Sequence, residues 1–174
     1  AIKRKGSLAR ATGNQDVLGG GWEGYREKID AGKRWYENQP FETEEIISFD
    51  GLQLKGRLYL HPLQPSGMAA VQGKRKVVIM AHGYRGAAQD LAFPGSLLFQ
   101  EDFDVLLVTQ RSHGDSEGRY ICFGQLECRD MDAWVDFVLK QLGKETEVFL
   151  YGVSMGGTTV MMAAGLNLPP QVKG

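Results

Sequence analysis

Three short, unbroken apolar runs constrain the fold of this chain most: VVIMA at 77–81, VLLV at 105–108 and VFLY at 148–151. No polar residue alternates within them. That is the pattern of strands covered on both faces, not of a sheet with one wet side. Helical stretches separate the runs. Residues 93–101 form the first, expected to turn Leu97 and Leu98 inward. Residues 126–142 form the second, where Met131, Trp134, Val135, Val138 and Leu142 make an i, i+3, i+4 stripe. Strand, helix, strand, helix, strand implies βαβ units and a mainly parallel, twisted sheet with helices on both faces.

An antiparallel lead-in precedes this pattern. EEIISFDGLQLKGRLYL (44–60) reads as a β-hairpin: Asp50-Gly51 is a favoured turn, and Leu52, Leu54, Leu58 and Leu60 alternate around it. Further upstream, Trp22, Tyr25, Ile29, Trp35 and Tyr36 recur at loosely helical spacing until Pro40. Residues 1–21 are Gly-rich, polar and basic, and are expected to be mobile; 61–74 read as a loop. The chain therefore divides into a flexible segment with a lead-in helix (1–40) and the N-terminal portion of one α/β domain (41–174). Its 174 residues suffice for one sizeable core.

A formal net charge of -1 supplies no electrostatic reason for nucleic acid or an anionic membrane as partner. The cluster Lys3, Arg4, Lys5 reads as a solvated end. Cys122 and Cys128 make no disulfide framework and are read as free thiols near one helix start. No apolar stretch approaches the ~20 residues of a membrane span. This leaves a soluble domain, cytoplasmic or tethered by an anchor upstream of residue 1.

The chemistry-bearing signal lies after the third run. Gly152-Val153-Ser154-Met155-Gly156 is a G-x-S-x-G motif between an apolar strand and an uncharged helix, TTVMMAAG, which is expected to be buried. A strand-to-helix turn this sharp strains the backbone at the serine, and flanking glycines remove Cβ atoms that would clash. Such a turn lifts the Ser154 hydroxyl above the strand ends as a nucleophile. It also aims the first helical N–H groups at the reacting atom. An acyl-transfer site needs two N–H donors for the developing oxyanion. Met155, just after the serine, offers one. The loop His82-Gly83-Tyr84, where Gly83 lets the backbone come close, offers the Tyr84 N–H as the second.

HGYRG (82–86), RSHGDSEG (111–118) and GVSMGG (152–157), in this order and spacing, resemble the α/β-hydrolase superfamily. The likeness is strongest to bacterial serine hydrolases of the esterase, thioesterase and dipeptidyl-peptidase-like type. It covers about residues 35–174, including the lead-in hairpin. The resemblance implies Ser154 as nucleophile, Gly152 and Gly156 as elbow glycines, and the Tyr84 and Met155 amides as oxyanion hole. It also implies that the 111–118 loop is structural or borders the site. It implies an acyl substrate and no metal or organic cofactor.

Other signals are weaker. Residues 19–24 match G-x-G-x-x-G, but no strand precedes them, so the dinucleotide reading fails. His61, His82 and His113 lack metal-ligand spacing and are read as structural or surface residues. Glu127, Asp130 and Asp132 are read as favourable charges in the first turns of a helix. In this superfamily the acid and the base follow the serine, and no Asp, Glu or His follows Ser154 in this sequence. A further strand is expected near Val172-Lys173. The expectation is of a hydrolase portion that a C-terminal fragment or second chain completes. The alternatives are a non-catalytic hydrolase-like binding module and an acyltransferase.

Overall fold

The structure is a computed structural model that describes residues 2–3, 23–62 and 74–174. Its main sheet has five strands: β2 (Glu42–Ile47), β3 (Gln53–Tyr59), β4 (Lys76–Ala81), β5 (Asp104–Thr109) and β7 (Glu147–Gly152), in the order β2-β3-β5-β4-β7. The hairpin β2–β3 is antiparallel and adds antiparallel to β5, while β4 pairs parallel with both β5 and β7. A separate short pair joins β1 (Ile2–Lys3) to β6 (Tyr120–Ile121). Most of 1–21, with Arg4, Lys5 and the start of the 19–24 glycine motif, and the centre of the 61–74 loop lie outside the described residues.

The hairpin turns where Asp50-Gly51 predicts it. Gly51 takes φ +85°, a left-handed conformation that favours glycine, and the Ser48 hydroxyl donates to Asp50 Oδ1 (2.6 Å) while accepting the Leu52 N–H (2.8 Å).

Helices cover both faces. On one side α1 (Glu23–Asn38) and α2 (Ala92–Gln100) bring Trp35, Tyr36, Leu98 and Phe99 onto Tyr59, Val78, Met80, Val105 and Leu107. On the other, α3 (Glu127–Leu142) lays Met131, Trp134, Val135 and Val138 on Leu54, Leu58, Val77, Ile79, Leu106 and Val108. A 3-10 turn, Ala88–Leu91, leads into α2, and α4 (Met155–Ala164) follows β7.

Three expectations need correction. Leu97 is 45% exposed and only Leu98 packs inward, because α2 buries its small face, Ala92, Gly95 and Ser96, against the sheet. α4 is not buried throughout: Met155, Gly156, Thr159 and Ala163 face inward, but Met161 is 69% exposed. Nor is β7 covered on both faces, since Tyr151 is exposed and only Val148 along it is fully buried. Residues 171–174 run beside β7, as the expected further strand would. Val172 bridges Val148 in parallel, the Val148 N–H donates to Gln171 O (2.9 Å), and the Lys173 N–H donates to Val148 O (2.8 Å).

Candidate active site

Register brings the parallel strands to one level. Ala81 pairs with both Val108 and Gly152. The loops that follow these strands, at 82–86, 110–118 and 153–154, therefore gather at a single edge of the sheet.

Ser154 sits at the turn from β7 into α4 with φ +54° and ψ −116°. A non-glycine residue there costs on the order of 1–3 kcal/mol and persists only where its surroundings enforce it. The enforcement is visible on either side. A Cβ on Gly152 would lie 2.1 Å from Gly156 O, and one on Gly156 would lie 2.1 Å from Ala81 O. Only glycine permits β7, α4 and the end of β4 to approach this closely. The Val153 N–H donates to Ala81 O (3.1 Å) and the Thr158 N–H to Ser154 O (3.1 Å), so the turn is tied at both ends. The Ser154 side chain is left exposed.

Gly83 abuts the serine. A Cβ there would meet Ser154 Cβ and Val153 O at 3.5 Å and stand 4.0 Å from Ser154 Oγ. No protein atom forbids it; it would occupy the space in front of the hydroxyl. In the same loop the Arg85 N–H donates to His113 Nε2 (3.1 Å), Gly86 N–H to Gly83 O (3.0 Å) and Ala87 N–H to Asp90 Oδ2 (2.9 Å). The N–H groups of Tyr84 and Met155 have no acceptor among the described residues.

Both histidines at this edge are structural. His82 is fully buried; the Gln110 N–H donates to its Nε2 (3.2 Å), so its Nδ1 carries the proton and donates to Gly83 O (2.9 Å). Burial pushes its pKa down to about 4, keeping the ring neutral. Gln110 Nε2 returns a bond to His82 O (2.5 Å), and the Thr159 hydroxyl donates to Gln110 Oε1 (2.8 Å), joining the ends of β4 and β5 to α4. His113 accepts from Arg85 at Nε2 and bonds Arg111 O through Nδ1 (2.9 Å). His61 lies elsewhere, stacked on Phe99 and bonded with Arg75 to the buried Asp104.

The 111–118 loop is a folded brace. Ser112 and Ser116 are buried, their hydroxyls donating to Tyr120 O (2.8 Å) and Thr109 O (2.6 Å). Arg111 fixes the loop by two bonds of 2.6 Å to Asp130 and two of 2.9–3.0 Å to Asp50. Glu127 and Asp130 both lie in the first turn of α3, as the sequence implies, and each also binds a specific partner. Glu127 is buried and accepts the Cys122 N–H (2.7 Å) and Gly124 N–H (2.8 Å), clamping the preceding turn. The position of Asp130 at a helix start suggests the dipole role; no local pattern marks Arg111, 19 positions away, as its partner. Both cysteines are free, and burial raises both thiol pKa values, which disfavours the thiolate.

No trio of His, Cys, Asp or Glu among the described residues could hold a metal ion. A cavity of about 390 Å³ opens on the α1 side beside Tyr36, Phe41 and Arg57, and none of its lining residues belongs to the Ser154 edge. Among the described residues no helix is long and apolar enough to cross a membrane.

The strand order, the hairpin lead-in and the helices on both faces define an α/β-hydrolase fold. More narrowly, the chain belongs to the family described as serine aminopeptidase, S33, whose model matches residues 72–174. It is 33% identical over 133 residues to the thiohydrolase aneE of Aspergillus aculeatus, covering 74% of this chain and 38% of that protein. Among solved structures it superposes on the Pyrococcus furiosus esterase Pf2001 with a TM-score of 0.60 at 23% identity, covering 74% of this chain and 48% of the esterase. The α/β serine hydrolase XC6422 of Xanthomonas campestris, described as lacking a lid, aligns at TM-score 0.58 and 21% identity over 72% and 56% of the two chains. The chain thus spans between about two-fifths and just over half of the length of these proteins.

Proposed function

We propose that this chain carries the nucleophile half of a serine hydrolase that cleaves an ester, thioester or amide through an acyl-enzyme on Ser154. The observation that carries the reading is the strained, glycine-walled turn holding an exposed Ser154 hydroxyl, with Gly83 against it. Oγ attacks the acyl carbon, and the carbonyl oxygen becomes an oxyanion held by the Tyr84 and Met155 N–H groups. The C–O, C–S or C–N bond then breaks, the leaving group takes a proton, and water later releases the acyl group. Each N–H donor of this kind is worth ~10²–10³ in turnover.

The general base comes from outside the described residues, because His82 and His113 have both ring nitrogens engaged. A further segment or a second chain running on beside 171–174 is the proposed source of the acid and the histidine. The hydrolase and thiohydrolase relatives favour water as acceptor over an alcohol.

The test is a fluorophosphonate probe on the full-length protein, read by mass spectrometry. An adduct on Ser154 alone is expected, and Ser154→Ala abolishes it. Adduct on Ser112 or Ser116 with none on Ser154 overturns the assignment.

A further inference from the structure

Two aromatic side chains from different loops are stacked in the open. The rings of Tyr84 and Phe123 lie with centroids 5.3 Å apart and planes 23° from parallel, yet the residues remain 40% and 42% exposed. A single exposed apolar ring is ordinary on a protein surface, whereas a stacked pair makes a flat patch that a ligand can use, provided its loops are held in place. Both loops are.

Tyr84 directly follows Gly83, whose Cα faces Ser154. Phe123 is held by greater effort. It takes φ +51°, unfavourable for a bulky residue. The Glu127 carboxylate, 1% exposed, bonds the N–H on each side of it. Gly124 follows at φ +100°, so close to α4 that a Cβ would meet Met162 Sδ at 2.9 Å and Thr158 Cγ2 at 3.0 Å. Thr158 is itself the residue whose N–H bonds Ser154 O. One ring is thus anchored one residue from the glycine facing the hydroxyl, and the other on the first turn of the serine's helix.

We infer that Tyr84 and Phe123 form an aromatic shelf that selects substrates carrying a planar aromatic or conjugated group within a few bonds of the scissile carbonyl. Glu127 is the positioning residue that presents Phe123. The inference rests on Ser154 being the acylated residue. Flat rings gain from stacking on flat partners beyond the area they bury, whereas a puckered ring of the same carbon count gains only the burial.

The full-length protein is first labelled with a fluorophosphonate. A Ser154 that takes no label overturns the acyl-enzyme reading and the shelf with it. With the label in place, kcat/KM is measured on two matched pairs of thioesters. One pair, 3-phenylpropanoyl against 3-cyclohexylpropanoyl, varies the acyl group; the other, S-benzyl against S-cyclohexylmethyl, varies the leaving group. The planar member should win in at least one pair by roughly three- to tenfold. Phe123→Asn, which tolerates the left-handed backbone, and Phe123→Leu should bring that ratio close to one through KM, with Ser154 still labelled. Glu127→Gln should lower the same ratio. A labelled enzyme without planar preference in either pair, or a preference that both Phe123 variants retain, overturns the shelf and leaves the acyl-enzyme standing.

Discussion

The Arg111 guanidinium meets the Asp130 carboxylate through two parallel hydrogen bonds of 2.6 Å, with both side chains under a tenth exposed. The outer edge of the same guanidinium takes Asp50 at 2.9 and 3.0 Å, and its face lies over Phe49. Hairpin turn, 111–118 brace and α3 are thereby locked to one cation. Asp130→Ala should destabilise the protein by about 3–5 kcal/mol, because it strands a buried charge. Asp50→Ala should cost much less, since Asp50 is over a third exposed and solvent screens the pair. Urea denaturation of the two variants checks the difference; equal losses would contradict it.

Two glycines near Ser154 should respond differently to an added methyl group. Gly156→Ala drives a Cβ into the Ala81 carbonyl at 2.1 Å, so the turn cannot form, and poor folding is expected. Gly83→Ala meets nothing closer than 3.5 Å and should fold with a melting temperature near wild type. Its Cβ fills the approach to Oγ, and displacing a reacting group by about 1 Å costs ~10² in rate. Thermal melts and single-turnover acylation on the same samples separate the two effects. A Gly83→Ala enzyme of full activity would sink the placement of the acyl group.

Acid should destabilise the protein through His82. Its folded pKa of about 4 lies below the ordinary 6.5, so the unfolded chain binds the extra proton first. The neutral ring's contribution is whole above pH 6.5, declines as the pH falls, and is gone below about 4. The shift corresponds to about 3 kcal/mol at most. Unfolding free energies measured from pH 7 to pH 4 should fall accordingly, and His82→Gln should flatten this part of the profile.

Glu127→Ala should leave the N–H groups of Cys122 and Gly124 unsatisfied in a buried turn, costing about 1–3 kcal/mol for each donor that water cannot reach. Hydrogen exchange at these two amides should accelerate more than at amides of β4 or β5. Uniform acceleration would place Glu127 in general stability and not in holding the turn.

Much of this architecture is written locally. Unbroken apolar runs need cover on both faces, so 77–81 and 105–108 specify parallel strands; Asp50-Gly51 specifies the turn; Gly-x-Ser-x-Gly after a strand specifies a tight strand-to-helix bend around Ser154. These features depend on spacing along the chain, which periodicity and turn chemistry record. The pairing of Asp130 with Arg111 and of His82 with Gln110 is not legible this way. Asp130 in the sequence is an acid in a helix's first turn; in the fold it is half of a buried ion pair with Arg111, which arrives from the loop after β5. Leu97 and Met161 have the hydrophobicity of core residues and remain exposed, because a helix buries whichever face the sheet meets, and on α2 and α4 that face lies elsewhere, at Ala92, Gly95 and Ser96 and at Met155, Gly156, Thr159 and Ala163. Tyr84 and Phe123 meet only because the loop after β4 and the turn clamped by Glu127 are brought together by the fold. Local sequence sets backbone conformation through short-range sterics and solvation. Which distant side chains meet depends on how the strands order and the helices cross, and no short window of residues contains that.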